Sequence, residues 1–236
     1  MEGIPLTYGG MFSEKQRVFL QMIDQDVRIT CMLMSPDTVK DLLAELADWL
    51  DFEGVGPVDL LVCGGTAMGL QQLHQRPTRD VDVLGSWNRE LFEVACMDEF
   101  PEKVKDCIRR VADNHPELEG FGENWVNLGP QRLARHGLPQ GYQSRLRSMT
   151  FGKAGLLTLH LLERQDLIPL KLYAAADRFS TRQEIHFDDL RLLKGSFDEM
   201  DKALDWVRTL NDFEEKRVEI QYVLERLGYD DLAGYV

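Results

Sequence analysis

The 236 residues are 44% hydrophobic and 28% charged, the make-up of a globular chain that can bury one large core or two modest ones. Against 27 Lys and Arg stand 40 Asp and Glu; the formal charge of −13 argues against a general nucleic-acid coat, which draws on excess base. No run of about eighteen apolar residues is present, and Met1-Glu2-Gly3-Ile4-Pro5 lacks a basic-then-apolar order, so neither a transmembrane helix nor a signal peptide is expected.

Cys31, Cys63, Cys96 and Cys107 show no Cys-x-x-Cys spacing and sit mostly in apolar segments. They read as free thiols in a reducing cytoplasm, not as a zinc site. Arg132, Arg135, Arg145 and Arg147 make the middle of the chain less acidic than its ends and read as solvated surface.

Val27 to Leu33 alternates as a strand would, with a helix ending near Ser35 as the alternative. Ser35-Pro36-Asp37 opens a helix over residues 36–51, with Val39, Leu42, Leu43, Leu46 and Leu50 on one face. Val58 to Cys63 has the near-continuous apolar character of a central strand. Gly64-Gly65 then turns the chain into a short helix over Thr66 to Leu73. Pro77 breaks any helix, and Val81, Val83 and Leu84 carry a strand closed by Gly85-Ser86, with Asp80 and Asp82 on its opposite face.

Asn88 to Ala95 and Pro101 to Asn114 are helical by spacing, Trp125 to Leu128 is a short strand, and residues 129–141 read mainly as loop. Leu156 to Leu161 is a further strand; Asp166 caps a helix reaching Arg178, with Pro169 in its first turn, and from His186 the pattern is helical. The fold class is therefore α+β. A small mixed sheet flanked by helices occupies residues 1–165 with its N-terminal extension, and an all-helical part occupies residues 166–236.

The chemistry concentrates in two patches. Leu60-Leu61-Val62-Cys63-Gly64-Gly65-Thr66 places side-chain-free backbone at a helix start, where amides meet phosphates. Asp80-Val81-Asp82 puts two carboxylates on one face of a strand, the oxygen donors that a divalent ion uses beside substrate phosphates. Asp-x-Asp and Gly-Gly are each common; their order on two successive strands is more specific.

In that order the two patches resemble the signature of the DNA polymerase β-like nucleotidyltransferase superfamily. Gly-Gly-Thr-Ala-Met-Gly-Leu, Arg-Pro-Thr-Arg-Asp-Val-Asp-Val-Leu and Leu-Lys-Leu-Tyr-Ala-Ala-Ala-Asp-Arg look like its AbiEii-type, minimal branch. The resemblance implies a nucleoside triphosphate as substrate and magnesium or manganese as cofactor. Asp80 and Asp82 would be catalytic metal ligands. Gly64, Gly65 and Thr66 would contact phosphates, and Lys171 would bind the triphosphate with help from Arg178. Some members are toxins of toxin–antitoxin pairs, so the acceptor is an RNA, a protein or a small molecule and a cognate antitoxin is a candidate partner.

Two departures qualify this. The superfamily's third carboxylate should lie on a later strand, where Trp125-Val126-Asn127-Leu128 offers Asn127 and no acid, with Glu123 as the nearest substitute. Where relatives carry a Lys-Asp pair, this chain has Ile185-His186 and then Asp189, read either as an Asp-oriented histidine or as a contact anchoring the C-terminal helices. The expectation is a nucleotidyltransferase; the alternative is a nucleotide- or partner-binding module on the same fold.

Overall fold

The computed structural model describes residues 33–118, 120–177 and 183–236. In helix α1 (Pro36–Phe52) the Ser35 side chain accepts from the Thr38 N–H at 3.1 Å, and Pro36 stands where its missing N–H has no partner to lose. The stripe from Val39 to Leu50 is buried as expected, each leucine contributing on the order of 2 kcal/mol by leaving water. Strand β1 (Val58–Val62) and helix α2 (Gly64–Leu70) follow. The two glycines lie inside the first helical turn, not in a separate turn ahead of it.

Strand β2 (Val81–Asn88) runs through Gly85-Ser86 and pairs antiparallel with β3 (Glu93–Ala95). The helix expected over Asn88 to Ala95 does not form. Asn88 Oδ1 accepts from the N–H groups of Glu90 and Leu91 at 2.9 and 3.0 Å, holding a turn, and Phe92 takes φ +52°. Gly85 permits the close approach, since a Cβ there would lie 2.5 Å from the Ala95 carbonyl.

Helix α3 (Glu102–Asn114) agrees with expectation, and a 3₁₀ turn over Gly122–Trp125 leads into β4 (Val126–Asn127), shorter than the spacing predicts. A helical turn, α4 (Gln131–His136), interrupts the expected loop. The sequence pattern gives no sign of β5 (Arg147–Phe151), whose residues are mostly exposed and which is held by its neighbour β6 (Leu157–Leu161). Helices α5 (Arg164–Ala175), α6 (Gln183–Leu193), α7 (Phe197–Arg208), α8 (Phe213–Arg226) and α9 (Asp230–Ala233) complete the described chain.

The result is α+β: a six-strand mixed sheet flanked by helices, with helices dominating the C-terminal part. The strand order is β3-β2-β1-β6-β5, with β4 added parallel to β2. β1 and β6 pair in parallel, which requires a crossover, and the other neighbours along the path are antiparallel. Helix α1 covers β5 and β6 on one face, and α5 packs against α6, α7 and α8. One apolar cluster runs from Leu42 through Leu61 and Leu161 to Phe187 and Leu224.

Asp166 does not cap α5. The N-cap is Glu163, and the Asp166 carboxylate is held by Arg145 at 2.5 and 3.1 Å, so Pro169 falls in the second turn. Most of the strand expected over Val27 to Leu33 lies outside the described residues, as does Arg178. Among the described residues no helix is long and apolar enough to cross a membrane.

Candidate functional site

The sheet changes register at the site. Leu61 pairs with Gly85 but Val62 with Val83, which leaves Leu84 as an extra residue on β2. Bulges of this kind bend a strand and re-aim its side chains. Directly beyond it, the Cys63 N–H donates to the Asp82 carbonyl at 3.0 Å. Gly64 then adopts φ +70°, and a Cβ built on it would overlap Asp82 Oδ2. Only glycine lets the backbone and the Asp82 carboxylate share this space.

Gly65 makes a second close approach, since a Cβ there would lie 2.9 Å from Thr78 Oγ1. The Thr66 hydroxyl donates to the Asp80 carbonyl at 2.7 Å, and the Thr78 hydroxyl donates to the same oxygen at 3.2 Å. Asp80 lies one residue before β2 and not on the strand as expected, so Thr66 fastens the entry of β2 to α2 through its side chain. The N–H groups of Gly64, Gly65 and Thr66 precede the first helical bond, from Ala67 N–H to the Cys63 carbonyl at 3.3 Å, and have no acceptor within the helix. At seven residues, α2 is too short for its dipole to add much.

Burial pushes the Cys63 thiol well above its ordinary range; Asp82 and Asp80 push the same way, and Lys171 opposes them. The three charged side chains expected to do chemistry thus lie within electrostatic reach of one buried sulfur. Lys171 itself is engaged: its Nζ lies 2.6 Å from Asp189 Oδ2, with 8% of the side chain exposed. The other Asp189 oxygen accepts from Arg76 Nη2 at 2.7 Å. Burial alone would raise the Asp189 carboxyl, but Lys171 and Arg76 more than reverse this and hold it below the usual range.

Asp189 is thus the counter-ion of Lys171 and Arg76, which fits its reading as an anchor for the C-terminal helices and not that of an aspartate orienting His186. Beside it, His74 Nδ1 accepts from the Arg76 N–H at 3.0 Å, and burial lowers the ring's basicity while Asp189 partly opposes the shift. Arg76 and Thr78 are not among the expected site residues, and nothing in the sequence pairs Asp189 with Arg76 and Lys171. The signal available in sequence was Arg76-Pro77-Thr78-Arg79, a polar loop abutting the aspartates.

Asn127 stands opposite Asp82 in the β2–β4 pair and donates its Nδ2 to Asp82 Oδ1 at 3.3 Å, while its own oxygen accepts from the Gly129 N–H. Glu123 does not take the part of a third acid here; its carboxylate pairs with Arg109 on α3 at 2.9 Å. Among the described residues no three His, Cys, Asp or Glu side chains gather to hold a metal. Asp80 and Asp82 are the side chains that would hold a magnesium ion arriving with substrate phosphates, because that ion commonly takes one or two protein carboxylates.

Trp125 and Trp87 are core residues, and Trp49 and Trp206 pack partly buried against the core. Among the arginines read as surface, Arg145 is tied to Asp166 and Arg135 to Asp98. Comparison with family models, with curated proteins and with solved structures finds no match to the chain.

Proposed function

We propose that this chain transfers a nucleoside monophosphate from a nucleoside triphosphate to a hydroxyl acceptor, an RNA, a protein or a small molecule. The observation that carries this reading is the packing of the Asp82 carboxylate on the bare Cα of Gly64. It sets a metal-ligand type beside three backbone N–H groups that have no helical acceptor.

In this reading Asp80 and Asp82 hold magnesium or manganese, which when bound neutralises charge on the reacting phosphates. The Gly64, Gly65 and Thr66 amides bind phosphate oxygens. The hydroxyls of Thr66 and Thr78 keep the Asp80 backbone in place, so the two carboxylates need little reorganisation when the triphosphate arrives. Lys171 supports the leaving pyrophosphate by exchanging part of its contact with Asp189, which retains Arg76.

A second reading is favoured by two contacts. Asn127 bonds to Asp82, and Asp189 neutralises Lys171, an arrangement that suits a nucleotide- or partner-binding module without chemistry.

Incubation with each labelled nucleoside triphosphate, magnesium and cell extract tests the leading reading, with Asp82→Ala as the comparison. Label transferred by the wild type alone supports it, and equal transfer by both proteins rules out the site. Triphosphate binding in calorimetry without transfer selects the second reading. No binding of any triphosphate rejects the transferase and nucleotide-binding readings and leaves the partner-binding module.

A further inference from the structure

Elsewhere on the sheet, three side chains on one face form a continuous hydrogen-bonded chain. Ser148 on β5 lies opposite His160 on β6, and His160 lies beside β1, which carries Asp59. Ser148 Oγ is 2.9 Å from His160 Nδ1, and His160 Nε2 is 2.9 Å from Asp59 Oδ1. A carboxylate only accepts, so the neutral ring carries its proton on Nε2 and turns the Nδ1 lone pair to the Ser148 hydroxyl.

We propose that Ser148, His160 and Asp59 form a nucleophilic site for acyl esters, separate from the nucleotide site and independent of metal. Its logic is that of a nucleophile within reach of a base that a third group orients. The three members differ in burial as those roles require: Ser148 is exposed, His160 is 7% exposed, and the Asp59 side chain is 11% exposed. The imidazole is fixed further by the Trp87 ring, 5.4 Å away, and Asp59 by Arg89 at 2.8 Å. Asp59 sits four residues before Cys63, roughly 13 Å away along an extended strand, so the two sites do not share residues.

The outer position of β5 supplies a further element. Among the described residues it pairs only with β6, and in an antiparallel pair alternate N–H groups point away from the partner. Either Ser148 or Met149 therefore turns its N–H outward, next to the hydroxyl, where it can donate to an oxyanion.

In the reaction Ser148 Oγ bonds to the ester carbonyl carbon as its proton passes to His160 Nδ1. The tetrahedral oxyanion collapses, the carbon–alkoxide bond breaks, and the alcohol departs with the proton from His160. Water repeats the sequence on the acyl-serine and releases the carboxylic acid. Asp59 is a positioning residue that keeps the ring's tautomer and faces the imidazolium.

A fluorophosphonate probe tests this, applied to the full chain in EDTA without nucleotide, so that failure here leaves the nucleotidyltransferase reading untouched. The Oγ–P bond forms as fluoride leaves. The expected result is one adduct by intact mass, mapped to Ser148 and absent from Ser148→Ala. Asp59→Asn should lower the maximal labelling rate at least about tenfold with the half-saturating probe concentration unchanged, and His160→Gln should lose as much. Melting curves identify any variant that has not folded. No adduct on wild-type Ser148 overturns the proposal, as does labelling at the same rate in both folded variants, the behaviour of an exposed hydroxyl acting alone.

Discussion

The Asp82 carboxylate covers the Cα of Gly64, in the space a side chain on that residue would need. Gly64→Ala meets two penalties at once: the overlap with Asp82 and a φ of +70° that L-residues resist. The expected loss is about 2–3 kcal/mol in chemical denaturation. Adding Asp82→Ala should return part of it, because the overlap disappears and the backbone strain stays.

If the chain transfers nucleotides, the two acids near β4 must behave differently. Asp82→Asn should lower transfer on the order of 100-fold, since a charge that holds the divalent ion is gone. Glu123→Gln should change it less than about twofold, because that carboxylate is spent on Arg109. Steady-state transfer rates for the two variants check this, and a large loss in the second would return Glu123 to the site.

Asp189 is buried and serves two cations, the buried Lys171 and the partly exposed Arg76. Asp189→Asn leaves Lys171 and Arg76 without a counter-charge and should cost about 3–5 kcal/mol, whereas Lys171→Met leaves Asp189 its arginine and costs less. The carboxyl is held below its ordinary range, so its contribution is complete above about pH 4 and is lost as pH falls through the lower folded value. Glu199 follows: its bond to Arg164 holds it at about 2, burial opposes this and the Ser196 N–H assists. Stability measured from pH 5 to 2 should fall more steeply for wild type than for Asp189→Asn.

Thiol reactivity should separate the cysteines. Cys96 is exposed, while burial pushes the Cys63 and Cys107 thiols upward. Brief alkylation at pH 7.5 followed by peptide mapping should modify Cys96 and leave Cys63 and Cys107 unmodified.

Gly152 seats the β5–β6 turn on α1. It has φ +76°, and a Cβ there would lie 2.6 Å from the Ala47 Cβ. Gly152→Ala should destabilise by about 2 kcal/mol and Ala47→Gly by about 1 kcal/mol. Removing the clash in the double variant should make the combined loss smaller than the sum, with a coupling of at least about 0.5 kcal/mol.

What sequence could disclose differed by element. Helix α1 was plain because its cap, proline and apolar stripe are all local. β1 was plain because Leu60-Leu61-Val62 is a continuous apolar run, and β6 because Leu157, Leu159 and Leu161 recur at every second position. β5 was hidden, since an edge strand such as Arg147-Ser148-Met149-Thr150 is defined by its neighbour. The Asn88–Ala95 hairpin was misread because Gly85 looked like an end when it is a point of contact with β3. At the site, Gly64 and the two aspartates stood out by spacing. The link from Asp189 to Arg76 and Lys171 spans 113 and 18 residues and left no periodic mark.

That link bears on how the protein can be dissected. An expressed segment stopping at Ala176 would contain every element of the sheet and both aspartates. It would also lack the carboxylate that pairs with Lys171 and Arg76, and water would reach α5 beside the glycine turn to solvate them. Loss of any activity in such a fragment would report a broken fold, so point substitutions, and not truncations, are the proper instrument for assigning roles to the C-terminal helices.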